Sequence, residues 1–124
     1  MSLVLIVEDN ERNLELVRDI LQAKGHETLE ARTAEEGLKV AHAQTPQLIL
    51  MDIQLPGMSG IEALKALRAG PGTAGIPIVA ITASVMQADR QEIMSAGFDG
   101  FIEKPITVRS FMDVVEATLG AKKP

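Results

Sequence analysis

The chain has 124 residues, of which 46% are hydrophobic and 23% charged, and its formal net charge is −5 at pH 7. These values are typical of one globular domain, and no apolar run approaches the roughly 20 residues that cross a bilayer. The acidic balance disfavours direct binding of nucleic acid, and the absence of cysteine excludes disulfides and zinc–thiolate sites. We therefore expect a cytoplasmic protein.

Five short apolar runs alternate with five segments of helical period along the chain. The predicted strands are Leu3–Glu8, His26–Ala31, Gln47–Asp52, Pro77–Thr82 and Asp99–Glu103. The predicted helices are Glu11–Lys24, Ala34–Ala43, Gly60–Ala69, Gln87–Ala96 and Val108–Leu119. This alternation predicts an α/β domain over residues 1–124, with a parallel sheet and helices on both faces. The glycine-rich stretch 70–75 predicts a flexible connection.

Acidic side chains stand at the ends of two predicted strands. Glu8 and Asp9 end the first apolar run, and Asp52 ends the third, just before a turn rich in proline and glycine. Ligands of an open parallel sheet bind beyond the carboxyl ends of its strands, so the three carboxylates converge if these two strands are neighbours. A hard divalent cation relieves the repulsion among them, and Mg²⁺ fits best because it prefers oxygen ligands.

Two further strand ends supply groups that suit phosphoryl transfer. Beside a bound cation, Asp52 can attack a phosphoryl donor and form an acyl phosphate. Lys104 would neutralise charge on the phosphoryl oxygens, and Thr82 would donate a hydrogen bond to one of them. Taken singly, Thr82 is a β-favouring residue and Lys104 a surface charge, but their placement at consecutive strand ends favours a shared site.

The chain resembles the receiver domains of two-component response regulators over essentially its whole length. The segments that carry the resemblance are Val7-Glu8-Asp9-Asn10, Asp52-Ile53-Gln54-Leu55-Pro56-Gly57-Met58-Ser59-Gly60, Ile81-Thr82-Ala83 and Phe101-Ile102-Glu103-Lys104-Pro105. The resemblance implies a flavodoxin-like (βα)5 doubly wound fold with a five-stranded parallel sheet in the order 2-1-3-4-5. It also implies a phosphoacceptor that assists its own phosphorylation and dephosphorylation, rather than an enzyme.

The same resemblance implies a role for each site residue. Asp52 is then the phosphoacceptor, and Glu8, Asp9, Asp52 and the backbone carbonyl of Gln54 hold Mg²⁺. The peptide bond before Pro105 is implied to be cis.

The resemblance also implies a switch and two surfaces that bind partners. Phosphorylation adds about −1.5 to −2 charges at the aspartate, which would draw Thr82 inward and let Phe101 move. The responsive surface is expected at Val85, Met86 and Phe101, and the histidine-bearing partner is expected to dock on Leu16 and Ile20 of the first helix. Ordinary core packing is the competing interpretation for Val85, Met86, Leu16 and Ile20.

Three functions remain open from the sequence. The first is a stand-alone regulator, most like the cell-division type, phosphorylated by a histidine kinase or histidine phosphotransfer protein and signalling to a downstream protein. The second is a phosphorelay intermediate, or a receiver cut from a hybrid histidine kinase. The third is a Mg²⁺-dependent phosphohydrolase, which is disfavoured because Gln54 stands where a second catalytic acid is expected. We expect no output domain, no membrane insertion, and a monomer or weak dimer.

Overall fold

The computed structural model describes residues 2–55, 57–82 and 87–121, and its strands and helices alternate in the predicted order. The strands are β1 (Leu3–Val7), β2 (Glu27–Ala31), β3 (Leu48–Asp52), β4 (Ile78–Thr82) and β5 (Gly100–Glu103). The helices are α1 (Glu11–Ala23), α2 (Ala34–Gln44), α3 (Gly60–Ala69), α4 (Gln87–Ala96) and α5 (Val108–Ala121). Every predicted end lies within two residues of the observed one.

The five strands form one parallel sheet in the order β2-β1-β3-β4-β5. The register places Val7 of β1 beside Ala31 of β2 on one side and beside Met51 of β3 on the other. The chain therefore winds outward in opposite directions from β1 and β3, and the point of reversal lies between them. This topology confirms the predicted flavodoxin-like fold.

Helices cover both faces of the sheet. Alternate residues of β1 enter different layers, with Leu5 and Val7 in one and Val4 and Ile6 in the other. The first layer also contains buried side chains of α2, α3 and α4, and the second contains side chains of α1 and α5. Each fully buried aliphatic side chain contributes about 1.5–3 kcal/mol, so the two layers stabilise the sheet from both faces.

Side-chain caps fix where α2 and α3 begin. The Thr33 hydroxyl accepts a hydrogen bond from the Glu36 amide at 3.1 Å at the start of α2. At the start of α3, the Ser59 hydroxyl accepts from the Glu62 amide at 3.2 Å, and the Glu62 carboxylate accepts from the Ser59 amide at 3.1 Å. This reciprocal capping box pins α3 immediately after the loop that follows β3.

The connection between α3 and β4 is held more firmly than the predicted flexible loop. Thr73 is fully buried, and its hydroxyl donates to the Leu67 carbonyl at 2.6 Å. Arg68 donates to the Ile76 carbonyl at 2.6 Å and to Asp99 Oδ2 at 2.9 Å. The glycines of this stretch suggested flexibility. The contacts that hold it were missed because they leave no local pattern in the sequence.

The parts of the chain that the structure describes contain no helix that is both long enough and apolar enough to cross a membrane.

Candidate functional site

The carboxyl ends of β1 and β3 bring three carboxylates together. Glu8 and Asp9 directly follow β1, Asp52 is the last residue of β3, and the two strands are neighbours in the sheet. One oxygen from each carboxylate lies within 4.8 Å of the others. Glu8 and Asp52 are buried, whereas Asp9 is exposed. The predicted convergence of the three acids is confirmed, and Asp9 forms the open side of the cluster.

The Asp52 carboxylate is held at both oxygens. The Gln54 backbone amide donates to Asp52 Oδ1 at 2.8 Å, and Lys104 Nζ donates to Asp52 Oδ2 at 3.1 Å. Asp52 itself is only 2% exposed. The apolar run of β3 buries the strand up to its last residue, and the chain then turns back so that an amide two residues later reaches the carboxylate. The side chain is therefore fixed in orientation while it faces the cluster.

Glu8 is the most confined acid of the cluster. Its Oε2 accepts from the Asn10 amide at 3.2 Å, and its Oε1 lies 3.1 Å from Lys104 Nζ. That contact is an ion pair by distance only, because buried Oε1 has no hydrogen-bond partner among the described residues. Burial first, and then the neighbouring Asp52 carboxylate, raise the pKa of Glu8 to about 7. Glu8 therefore holds a proton at a higher pH than an ordinary glutamate does.

Lys104 reaches the cluster from the end of β5. Its backbone amide donates to the Thr82 carbonyl at 2.7 Å, and its peptide bond with Pro105 is cis. Burial disfavours the charged ammonium, but the attraction of Asp52 and Glu8 outweighs it, so the pKa of Lys104 lies above its ordinary value. Lys104 therefore stays protonated and supplies a positive charge to two buried carboxylates.

Thr82 lies on the strand next to Asp52. It ends β4, where it is 1% exposed and pairs in register with Glu103 of β5. Asp52 pairs with Ile81, so Thr82 lies one residue further along the neighbouring strand. The structure thus places the predicted hydroxyl residue at the same edge of the sheet as Asp52.

The residues expected to contact partners fall into different environments. Phe101 on β5 is partly buried, and it lines a shallow groove of about 360 Å³ together with residues of α4 and α5, among them Met94 and Val114. Leu16 on α1 is 37% exposed and is accessible to a partner. Ile20 is 7% exposed and belongs to the core. This burial favours core packing, the competing interpretation, for Ile20, and its docking role stays a prediction.

Val85 and Met86, the other two residues expected on the responsive surface, lie outside the described residues.

Asn10 has a role that was not predicted from the sequence. Its amide donates to Glu8 Oε2, and its side-chain oxygen accepts from the Asn13 amide at 3.1 Å and so caps α1. The same residue therefore orients a buried acid and begins a helix. An asparagine just before a helical segment is a recognisable cap signal, but its contact with Glu8 depends on the folded loop.

Comparison with known proteins identifies relatives over nearly the whole chain. Residues 4–116 match the sequence model of the response regulator receiver domain. The polar-differentiation response regulator DivK of Brucella ovis is 44% identical over 117 residues, which cover 94% of this chain and 95% of that protein. DivK of Brucella abortus strain 2308 has the same identity and coverage.

Solved structures share the fold. The chemotaxis protein CheY4 of Vibrio cholerae has a TM-score of 0.89 at 27% identity, and the match covers 95% of this chain and 98% of that one. The receiver domain of the sensor histidine kinase PA1611 from Pseudomonas aeruginosa PAO1 was crystallised with a magnesium ion coordinated in its active-site cleft. It has a TM-score of 0.88 at 28% identity, over 96% of this chain and 98% of that one.

Proposed function

The chain belongs to the response regulator receiver family, and from this membership we propose that Asp52 accepts a phosphoryl group and that the acyl phosphate changes which proteins the domain binds. The observation that carries the proposal is the setting of the Asp52 carboxylate, buried beside Lys104 and the other acids at the edge of the sheet. A nucleophile that the fold already holds in one orientation loses little further conformational entropy when it reacts, so the barrier to the reaction is lower.

The proposed reaction uses groups of the chain at fixed positions. A carboxylate oxygen of Asp52 bonds to phosphorus while the bond between phosphorus and the donor breaks. If the donor is a phosphohistidine, a P–N bond breaks and the departing imidazole takes up a proton. We propose that Lys104 neutralises charge on the phosphoryl oxygens and that Thr82 donates its hydroxyl to one of them; the 3.1 Å distance from Lys104 Nζ to Asp52 Oδ2 supports the first role. The domain would thus assist its own phosphorylation and dephosphorylation without turning over a separate substrate.

The acidic cluster fits Mg²⁺. Three carboxylates face one lysine, and buried Glu8 Oε1 lacks a hydrogen bond among the described residues, so the site offers hard oxygen donors and excess negative charge. We propose that Glu8, Asp9, Asp52 and the carbonyl of Gln54 hold the ion. When bound, Mg²⁺ would neutralise charge on the transferring phosphoryl group. The magnesium ion in the PA1611 receiver domain supports this assignment.

The proposed output is a shift between two conformations. The phosphoryl group adds charge and acceptor oxygens at Asp52, which would draw Thr82 toward the site. Phe101, partly buried on the strand next to β4, would then repack. Because Phe101 has no hydroxyl, its movement must be driven by packing alone. The groove that it lines between α4, β5 and α5 would change shape, and a target that prefers the new shape would stabilise it.

We propose a histidine kinase or histidine phosphotransfer protein as the donor and a downstream protein as the target, in the cytoplasm. The match to DivK over 95% of that protein supports a regulator that acts as a single receiver domain. On this proposal residues 1–124 form a receiver unit that signals through the proteins it binds.

A second candidate is a phosphorelay intermediate or a receiver of a hybrid histidine kinase. The likeness to the receiver domains of the PA1611 sensor kinase and of a signal transduction histidine kinase from Syntrophus aciditrophicus supports it. The two candidates differ in the fate of the phosphoryl group. A histidine phosphotransfer protein would rapidly discharge a relay intermediate, whereas a regulator would keep its acyl phosphate until hydrolysis.

Intact-mass spectrometry after incubation with acetyl phosphate and Mg²⁺ tests the proposal. The parent protein should gain one phosphoryl group. Asp52→Asn should gain none, because the neutral side-chain amide is a much weaker nucleophile than a carboxylate. Circular dichroism should show that the variant is folded. Equal gains in parent and variant would place the acceptor elsewhere and refute the role of Asp52.

A further inference from the structure

Gly60, the first residue of α3, lies directly against the backbone that carries Asp52. A Cβ added to Gly60 would stand 2.7 Å from the carbonyl oxygen of Asp52 and 2.7 Å from Cα of Ile53. It would also stand 3.1 Å from Cγ of Met51. The first two distances are shorter than real Cβ contacts, so any side chain at residue 60 requires a displacement.

The need for glycine here comes from space and not from the backbone torsion. Gly60 does not share the positive φ of Gly25, Gly57 and Gly97. Without the collision, an alanine could adopt the same backbone conformation at this first position of α3. The atoms in the way belong to the main chain of Asp52 and Ile53, and main-chain atoms cannot rotate aside as a flexible side chain can.

Helix α3 is poorly placed to absorb this displacement. Its start is closed by the capping box of Ser59 and Glu62. Ala63, Leu64 and Leu67 are fully buried in the layer against the sheet. Moving α3 away would therefore open the core, whereas the turn after β3 is partly exposed at Ile53 and exposed at Gln54. We therefore expect the turn to shift, which would strain the 3.1 Å bond from the Ile53 amide to the Ile81 carbonyl.

Two hydrogen bonds connect this turn to the Asp52 carboxylate and to α3, so a shift of the turn would affect the carboxylate. The amide of Gln54 donates to Asp52 Oδ1 at 2.8 Å and so orients the carboxylate. The amide of Gly60 donates to the Ile53 carbonyl at 3.4 Å, a longer contact that ties the helix to the same turn. Displacement of Ile53 would move the Gln54 amide and rotate the Asp52 side chain.

We propose that Gly60 is a positioning residue for phosphorylation. Its missing side chain lets α3 rest on the backbone of residues 52 and 53, and this contact sets where the Asp52 carboxylate stands relative to Lys104. The inference rests on the proposed function of Asp52. Gly60 touches neither the phosphoryl donor nor the metal, and it acts through the backbone of its neighbours.

The test compares Gly60→Ala with Gly70→Ala. Gly70 follows the other end of α3, and a Cβ there would meet Thr73 Oγ1, also at 2.7 Å, far from Asp52. The measurements are the rate of phosphorylation by acetyl phosphate at increasing Mg²⁺ and the free energy of unfolding by urea. Gly60→Ala should lower the limiting rate about ten- to a hundredfold, because small displacements of reacting groups carry costs of that size. Extra Mg²⁺ should not restore it, and Gly70→Ala should react like the parent.

Each result decides the matter. A Gly60→Ala protein that is folded and reacts at the rate of the parent overturns the proposal, as does a rate loss of equal size in both variants. If Gly60→Ala is unfolded, the rate is measured in trimethylamine N-oxide, which favours the folded state. A chain that remains unfolded there overturns the positioning role, because the contact then serves stability. If the parent protein itself takes up no phosphoryl group, the proposed function of Asp52 is wrong. If the parent reacts and only the comparison of the two variants fails, the positioning role of Gly60 alone is wrong.

Discussion

Lys104 Nζ lies 3.1 Å from Asp52 Oδ2, although the two residues are 52 positions apart in the chain. The same ammonium lies 3.1 Å from Glu8 Oε1, so one positive charge is shared between two buried carboxylates. Asp9 adds a third carboxylate to the cluster. The unbalanced negative charge at this edge of the sheet is the physical reason for the proposed binding of a cation.

Lys104→Ala should slow phosphorylation of Asp52 without abolishing it. The variant loses the charge that neutralises the phosphoryl oxygens, and loss of one such contact typically costs about a hundredfold or more in rate. The measurement is the rate of mass gain with acetyl phosphate, compared with Lys65→Ala, which removes an exposed lysine of α3. Equal rates in the two variants would contradict a role for Lys104 in the reaction.

The stability of the metal-free protein should depend on the ionisation of Glu8. Its pKa is raised from 4.5 to about 7 in the folded protein, so its contribution is fully present below about pH 4.5 and is lost as the pH rises through 7. The free energy of unfolding should therefore fall across this range by roughly 1–3 kcal/mol, allowing for screening, since one pKa unit corresponds to about 1.4 kcal/mol. Urea unfolding in EDTA measures this.

Far-ultraviolet circular dichroism is the suitable probe of that unfolding, because the chain contains no tryptophan and no tyrosine. The control is Glu8→Gln, which cannot ionise and should lose the decrease between pH 4.5 and 7. A decrease that persists unchanged in Glu8→Gln would show that another group titrates in this range.

Mg²⁺ should stabilise the folded protein, and Asp9→Asn should weaken the effect. A ligand that binds only the folded state adds about 2.7 kcal/mol at 100 times its dissociation constant. Because Asp9 is exposed, the substitution should remove a ligand oxygen and leave the metal-free stability nearly unchanged. The experiment is thermal unfolding during a magnesium titration, with Asp113→Asn on the exposed surface of α5 as the control. A titration curve of Asp9→Asn that overlays the parent's would remove Asp9 from the metal site.

Leu16 and Ile20 should respond differently to truncation. Leu16→Ala should leave stability within about 0.5 kcal/mol, since the side chain is partly exposed, whereas Ile20→Ala should cost about 2–5 kcal/mol through a cavity in the core. Leu16→Ala should also slow phosphotransfer from a phosphorylated histidine phosphotransfer protein, but not phosphorylation by acetyl phosphate, which requires no docking. Loss of both activities, or of neither, would argue against a docking role for Leu16.

The order of the elements and the meeting of the acids were predictable because both depend on local patterns. Short apolar runs predict buried strands, and Thr33 and Ser59 mark helix starts by their own chemistry. Once β1 and β3 are neighbours, the geometry of a parallel sheet brings Glu8 and Asp52 to one edge. These features need no knowledge of how side chains interlock.

Contacts between distant segments were not predictable in this way. Arg68 pairs with Asp99, 31 positions away in the chain, and no local sequence pattern around either residue predicts this pair. Leu16 and Ile20 are both large apolar residues of α1, and only the way in which the helix packs on the sheet decides that Ile20 is the buried one. Gly60 ends the segment of proline and glycine residues after Asp52. The reason for a glycine there is the backbone of Asp52, which leaves no room for a Cβ.

The Arg68–Asp99 pair stands at the edge of the sheet opposite Asp52. Asp99 Oδ2 also accepts from the Ile78 amide at 2.8 Å, so the beginnings of β4 and β5 are tied together there. Asp99 and Ile78 thus hold the beginnings of β4 and β5, whereas Thr82 and Lys104, which are proposed to act on the phosphoryl group, lie at the other ends of these two strands. Substitutions in the loops around Asp52 could therefore change which partners bind while the contacts at the beginnings of β4 and β5 continue to stabilise the domain.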